Sequence, residues 1–179
     1  FTASATANML SEGSTSLTAQ QIADELDFYG SYFDVNIDRD YSYISFVSLS
    51  KFFTETANVA TEILLRPSFE ERELKTYCQK RKQSLAIERK KVEVQSRELF
   101  AEALFGKKHP YGTSAKGECY DDVTRDDIVT LYNELYTANN CFIVCSGHVD
   151  DTVLDRIKGM AMELPTGEKP QIEFPAIES

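Results

Sequence analysis

The sequence predicts an α/β (α+β) fold, a largely antiparallel sheet covered by helices. Three observations predict it. Two alternating strand-like runs flank a polar Asp38-Arg39-Asp40 turn, a third apolar run occupies residues 141–149, and long helical stretches are mixed among them.

The elements follow in chain order. Residues 3–12 have helical spacing through Ala3, Ala7 and Leu10, and Gly13 stands at the stop. The side chains here are small, with no His or Cys and one carboxylate, Glu12, at the end. In SLTAQQIADELDFYG, Thr18 is the N-cap, Ile22, Leu26 and Tyr29 line one face, and Gly30 ends the helix. Phe33, Val35 and Ile37 alternate in the first strand, and YSYISFVSL supplies the second. Helical spacing returns over 51–65 through Phe52, Ala60 and Ile63, until Arg66-Pro67 ends it. Residues 70–105 carry a stripe of Leu74, Tyr77, Cys78, Leu85, Val92, Leu99 and Ala103, with a break expected near 92–96. GKKHPYG reads as a loop. TRDDIVTLYNELY reads as a helix capped by Thr124, with Asp126 and Asp127 at its positive end. A strand over 141–149 and a helix over 151–163 complete a domain spanning 1–164. Residues 165–179 hold three of the five prolines and read as a linker to a following domain.

Composition excludes several function classes. The length suits about one domain with a substantial core. No run approaches the ~18 apolar residues of a membrane span. With 19 basic against 29 acidic side chains the net charge is −10, which disfavours nucleic acid, whose binding draws on Lys and Arg. The basic run at 80–91 reads as a solvated helix face. Phe1 leads directly into helix-like sequence with no initiating Met and no signal-like opening. The expectation is therefore a piece of a longer protein, short of N-terminal strands and of any targeting signal, so the compartment is not readable.

Chemistry-bearing constellations are few. His109 and His148 have no other His or Cys at ligand spacing on a shared helix, whereas zinc needs three or four converging ligands. His109 is expected to order its loop, and His148 to close a strand end. Cys78, Cys119, Cys141 and Cys145 do not suggest a disulfide framework. Cys141 and Cys145, four residues apart on a strand, would be separated by ~13 Å, beyond disulfide reach, so they read as buried structural thiols. No nucleophile elbow and no phosphate-binding glycine loop is present. Acidic pairs at 121–122, 126–127 and 150–151 sit at helix starts and read as caps.

Taken in order, ANMLSEGS, the helix ending in DFYGS, VNIDRDYSYISFVSL and ILLRPSFEERELKTYCQKRKQSL form one pattern. It continues through ELFAEALFGKKHPYGTSAKGECYDDVTRDDIVTLYNELYTANNCFIVCSGHVD, over about residues 3–165. This pattern resembles the insulinase/pitrilysin and mitochondrial processing peptidase family of zinc metallopeptidases. Active members carry H-x-x-E-H on the helix before the equivalent of MLSEGS. Two histidines one turn apart share a zinc, the Glu activates water, and a later Glu is the third ligand. Here Ser4-Ala5-Thr6-Ala7-Asn8 occupies that frame, and Gln83-Ser84, with Glu88 nearby, stands in the region of the third ligand.

The resemblance therefore implies a non-catalytic domain with no catalytic residue, no metal ligand and no cofactor of its own. Zinc is expected in a catalytic half, either in the same chain or in a partner subunit, and the two halves close around a peptide substrate. Two rivals stand beside this reading. One is a structural or assembly subunit with the peptidase fold and no proteolytic role. The other is an enzyme with a different site around His109, His148 and nearby carboxylates.

Overall fold

The computed structural model describes residues 1–171. Seven α-helices and one β-hairpin make up the regular structure of these residues. Helix α1 (Thr2–Asn8) continues into a 3₁₀ turn at Met9–Ser11. Seven residues are too few for a stable isolated helix, and packing holds this one in place. Ala5, Ala7, Met9 and Leu10 are completely buried, while Ala3, expected on the inner face, is exposed. Small side chains let α1 approach α6 (Arg125–Leu135) closely enough for Thr6 Oγ1 to donate to Ile128 O at 3.5 Å. Gly13 follows with φ +132, a backbone open mainly to glycine, and its carbonyl accepts from Ser68 N.

Local capping sets the next boundaries. Helix α2 (Ala19–Phe28) starts on a reciprocal box between Thr18 and Gln21, and α6 on the same device between Thr124 and Asp127. Strands β1 (Tyr32–Ile37) and β2 (Ser42–Val47) pair antiparallel, with Phe33 opposite Phe46 and Val35 opposite Ile44. Asp38 shapes the turn between them, its Oδ1 accepting from Asp40 N and Tyr41 N at 2.7 Å each. These backbone donors hold its carboxyl below the ordinary value.

Helix α3 (Phe53–Leu65) buries Val59, Ala60 and Ile63. Phe69 follows with φ +48, unusual for a bulky residue. Its ring is buried against Tyr132, and the Arg125 guanidinium donates to the carbonyls of Ser68 and Phe69, so several contacts hold the position. Helices α4 (Glu71–Glu88) and α5 (Val92–Phe105) divide at residues 89–91, earlier than the expected break. No Gly or Pro marks this corner. Three consecutive cations are solvated there, and Gln95 Nε2 caps the Arg89 carbonyl. The apolar stripe is buried only over α4, at Leu74, Cys78 and Leu85, while Val92 and Leu99 are exposed. Of the basic run, Lys80, Lys90 and Lys91 are exposed while Arg81 turns to the inner face, and ion pairs join Arg81–Glu88, Lys82–Asp121 and Arg89–Glu98.

One expectation fails outright. Residues 141–149 form no strand, and Cys141 and Cys145 are exposed rather than buried. The run has strand composition, but among the described residues it pairs with no strand; its Phe142 ring packs edge-on against Tyr41, just before β2. His148 therefore closes no strand end. Helix α7 (Asp151–Glu163) then packs on α3. Residues 165–171 have no regular structure, and their start folds back on the domain, with Ala138 N donating to Pro165 O and Asn139 Nδ2 to Gly167 O. The remainder of the expected linker, 172–179, lies outside the described residues.

Candidate functional site

Ser4 and Asn8 are one turn apart on the side of α1 that faces α4, and both are half-buried. Between α1, α4 and β1 lie two contiguous hollows of about 250 Å³ each, which share Asn8, Val35 and Tyr77. Together they form one groove along β1. At one end stand Ser4, Asn36, Ile37 and Arg81; at the other, Ser11, Glu12, Phe33 and Asp34.

A hydrogen bond crosses the groove. Ser4 Oγ and the Tyr77 hydroxyl are 3.0 Å apart and join α1 to α4. Burial pushes the Tyr77 phenol up to about 12, so it stays protonated across the physiological range. Asn8 turns back on its own helix and donates Nδ2 to Ser4 O at 2.8 Å. Arg81, one turn beyond Tyr77, donates to Glu88 Oε1 at 3.3 Å. Burial works against its charge, but the neighbouring Tyr120 hydroxyl and the Glu88 carboxylate outweigh that and leave its pKa above the usual arginine value.

The residues in the frame of the two histidines, Ser4 and Asn8, therefore reach the groove. Ala7, in the frame of the glutamate, is completely buried. Gln83 and Ser84 are absent from the lining, and Glu88 is engaged by Arg81. Tyr77 and Arg81 face α1 instead, and the sequence reading missed them. Their i, i+4 spacing on α4, matching that of Ser4 and Asn8 on α1, was the available signal.

Zinc does not fit this donor set. Around Ser4 and Asn8, a hydroxyl, a carboxamide, a protonated phenol and a guanidinium cation offer none of the thiolate, imidazole or carboxylate ligands that zinc prefers. The two carboxylates at the far end, Glu12 and Asp34, fall short of the three or four ligands it needs. Elsewhere, His109 is buried and orders its loop as expected. Its ring stacks on Phe105 and its Nδ1 accepts from Tyr111 N at 3.1 Å. His148 is exposed. Among the described residues no three His, Cys, Asp or Glu side chains are grouped so as to hold a metal ion, so the alternative site around the histidines is not assembled. No helix among them is long and apolar enough to cross a membrane.

The edge of β1 completes the geometry. Asp38 N donates to Tyr41 O, and alternation along an antiparallel ladder then turns the N–H and C=O groups of Phe33, Val35 and Ile37 away from β2. Among the described residues β1 has no other strand neighbour.

Helices pack on an antiparallel hairpin, and Ser4, Ala7 and Asn8 occupy the frame in which the resembled family carries its zinc motif. Solved structures share this fold. The peptidase M16 inactive domain from Pseudomonas fluorescens matches with a TM-score of 0.87 at 21% identity, over 96% of this chain and 43% of that one. Pitrilysin matches with a TM-score of 0.77 at 15% identity, over 99% of this chain and 20% of its own. A protease from Helicobacter pylori matches with a TM-score of 0.69 at 14% identity, over 99% and 44%. By sequence, an uncharacterized zinc protease of Rickettsia felis is 24% identical over 165 residues, 90% of this chain. This chain spans 40% of that relative's length. No family model matches the chain. The fold is thus that of the insulinase/pitrilysin-type peptidases, as the sequence resemblance implied.

Proposed function

We propose that this chain, with residues 1–164 as its domain, is the non-catalytic half of a zinc metallopeptidase. It completes a substrate chamber for a zinc-bearing half in the same polypeptide or in a partner subunit. It holds peptide without hydrolysing it. The observation that carries this reading is the α1–α4 contact, where Ser4, in the frame of the first histidine, is joined to Tyr77 by a hydrogen bond. The groove beside that contact remains open, and the outward backbone groups of β1 could pair with an extended peptide.

The test is deletion and add-back. The zinc-bearing half, produced without this chain, should retain one equivalent of zinc and lose peptide cleavage, and adding this chain should restore cleavage. Undiminished cleavage by the zinc-bearing half alone would refute the reading and favour a structural subunit.

A further inference from the structure

The groove is polarised along its length. Its Arg81 end carries a cation held by Glu88 with its side chain still 36% exposed. A guanidinium has five N–H donors, so this pairing leaves donors for a ligand. The opposite end carries two carboxylates, Glu12 and Asp34. Glu12 is half-buried and Asp34 exposed, and among the described residues neither makes a side-chain hydrogen bond or ion pair. The charge of Arg81 is therefore positioned, and those of Glu12 and Asp34 are unspent.

β1 runs between the two ends. Asp34 and Ile37 are three residues apart, ~10 Å along a strand. An extended peptide beside β1 has the same rise, so opposite charges about three residues apart would meet the two ends together. The net charge of −10 would by itself favour any basic peptide, but Arg81 inside the groove penalises a second cation at its end.

Resting on the reading that the groove takes peptide, we infer that it selects extended segments by a charge pair. A basic side chain lies at the Glu12/Asp34 end, and an acidic side chain or terminal carboxylate about three residues away lies at Arg81. Both ends are partly solvated, so each matched charge changes affinity by roughly 1.5- to fivefold at low salt.

The test uses the full polypeptide that carries this chain, kept in EDTA so that nothing is cleaved. Fluorescein-labelled eight-residue peptides with blocked ends are titrated by anisotropy. They carry lysine and glutamate three residues apart, lysine with glutamine, glutamine with glutamate, or two lysines. The lysine–glutamate peptide should bind tightest. Arg81→Gln should remove the advantage of its glutamate and spare that of its lysine, and Glu12→Gln with Asp34→Asn should do the reverse. These carboxylates are not part of the Arg81 cluster, so the second variant keeps the test decisive if the first disturbs folding. Tightest binding by the two-lysine peptide would overturn the inference in favour of net charge. Equal weakening of all peptides by both variants would overturn it in favour of a purely structural role. Binding that ignores charge overturns the inference alone, whereas no binding by any peptide overturns the underlying peptide-groove reading as well.

Discussion

Replacing Tyr77 by Phe removes one hydroxyl and keeps the ring, which lies edge-on to Tyr120 with centroids 6.2 Å apart. The interaction lost is the 3.0 Å bond to Ser4 Oγ. A neutral hydrogen bond of this kind contributes about 1 kcal/mol net. Ser4 is only half-buried, so water can reach its orphaned hydroxyl and the penalty for leaving it unpaired is small. Tyr77→Phe should therefore destabilise by about 1 kcal/mol, which in a chain of this size lowers Tm by about 2–4 °C. Ser4→Ala should cost a similar amount. The double variant loses the same bond only once, so its total should stay near 1 kcal/mol, a coupling of about 1 kcal/mol. The assay is urea unfolding of the four proteins at pH 7, followed by circular dichroism, with unchanged m-values as the control. Additive losses, with coupling below about 0.3 kcal/mol, would refute the claim that this bond joins α1 to α4.

Three further outcomes are expected. The Ser16 hydroxyl, then Arg66 and the Ser14 hydroxyl, stabilise the Glu62 carboxylate and hold its pKa below the usual 4.5. A depressed folded pKa gives stability that is complete above the unfolded value and lost as pH falls through the folded one. Glu62→Gln should thus cost about 1 kcal/mol at pH 7, with the gap to the parent closing below about pH 4; a gap independent of pH would count against it. Ile63 is completely buried, so Ile63→Ala should cost about 2–5 kcal/mol in the same unfolding assay, and a loss below 1 kcal/mol would mean the core can collapse around the gap. Rebuilding the motif as Ser4→His, Ala7→Glu and Asn8→His should not yield stoichiometric zinc after a chelator wash, measured by mass spectrometry. Position 7 is sealed, and α4 presents Tyr77 and Arg81 where a third ligand would be needed; one retained equivalent of zinc would refute that account.

Several elements were legible from sequence because their causes are local. The Thr18–Gln21 and Thr124–Asp127 boxes set α2 and α6 from residues three apart. The hairpin follows from alternation around Asp38, which makes the turn with its own side chain. The absence of a histidine pair at Ser4 and Asn8 was legible because the helical frame of such a pair is itself local. Residues 141–149 show the limit. Strand composition supplies apolar side chains but no partner for the backbone, and with no paired strand among the described residues the segment has no regular structure and is exposed.

The groove lay beyond the sequence for the same physical reason. Ser4 and Tyr77 are 73 residues apart, and the α4 residues that oppose α1 depend on how α4 is rotated as it buries Leu74, Cys78 and Leu85. That rotation brings Tyr77 and Arg81 to the groove and leaves Gln83 and Ser84 out of its lining. By itself the sequence determined the capped helices, the hairpin and the absence of a histidine pair, because bonds between near neighbours set each of them. Only the tertiary structure decided which α4 residues face Ser4 and Asn8 and which charges flank β1, because burial of the shared core sets the rotation of each helix.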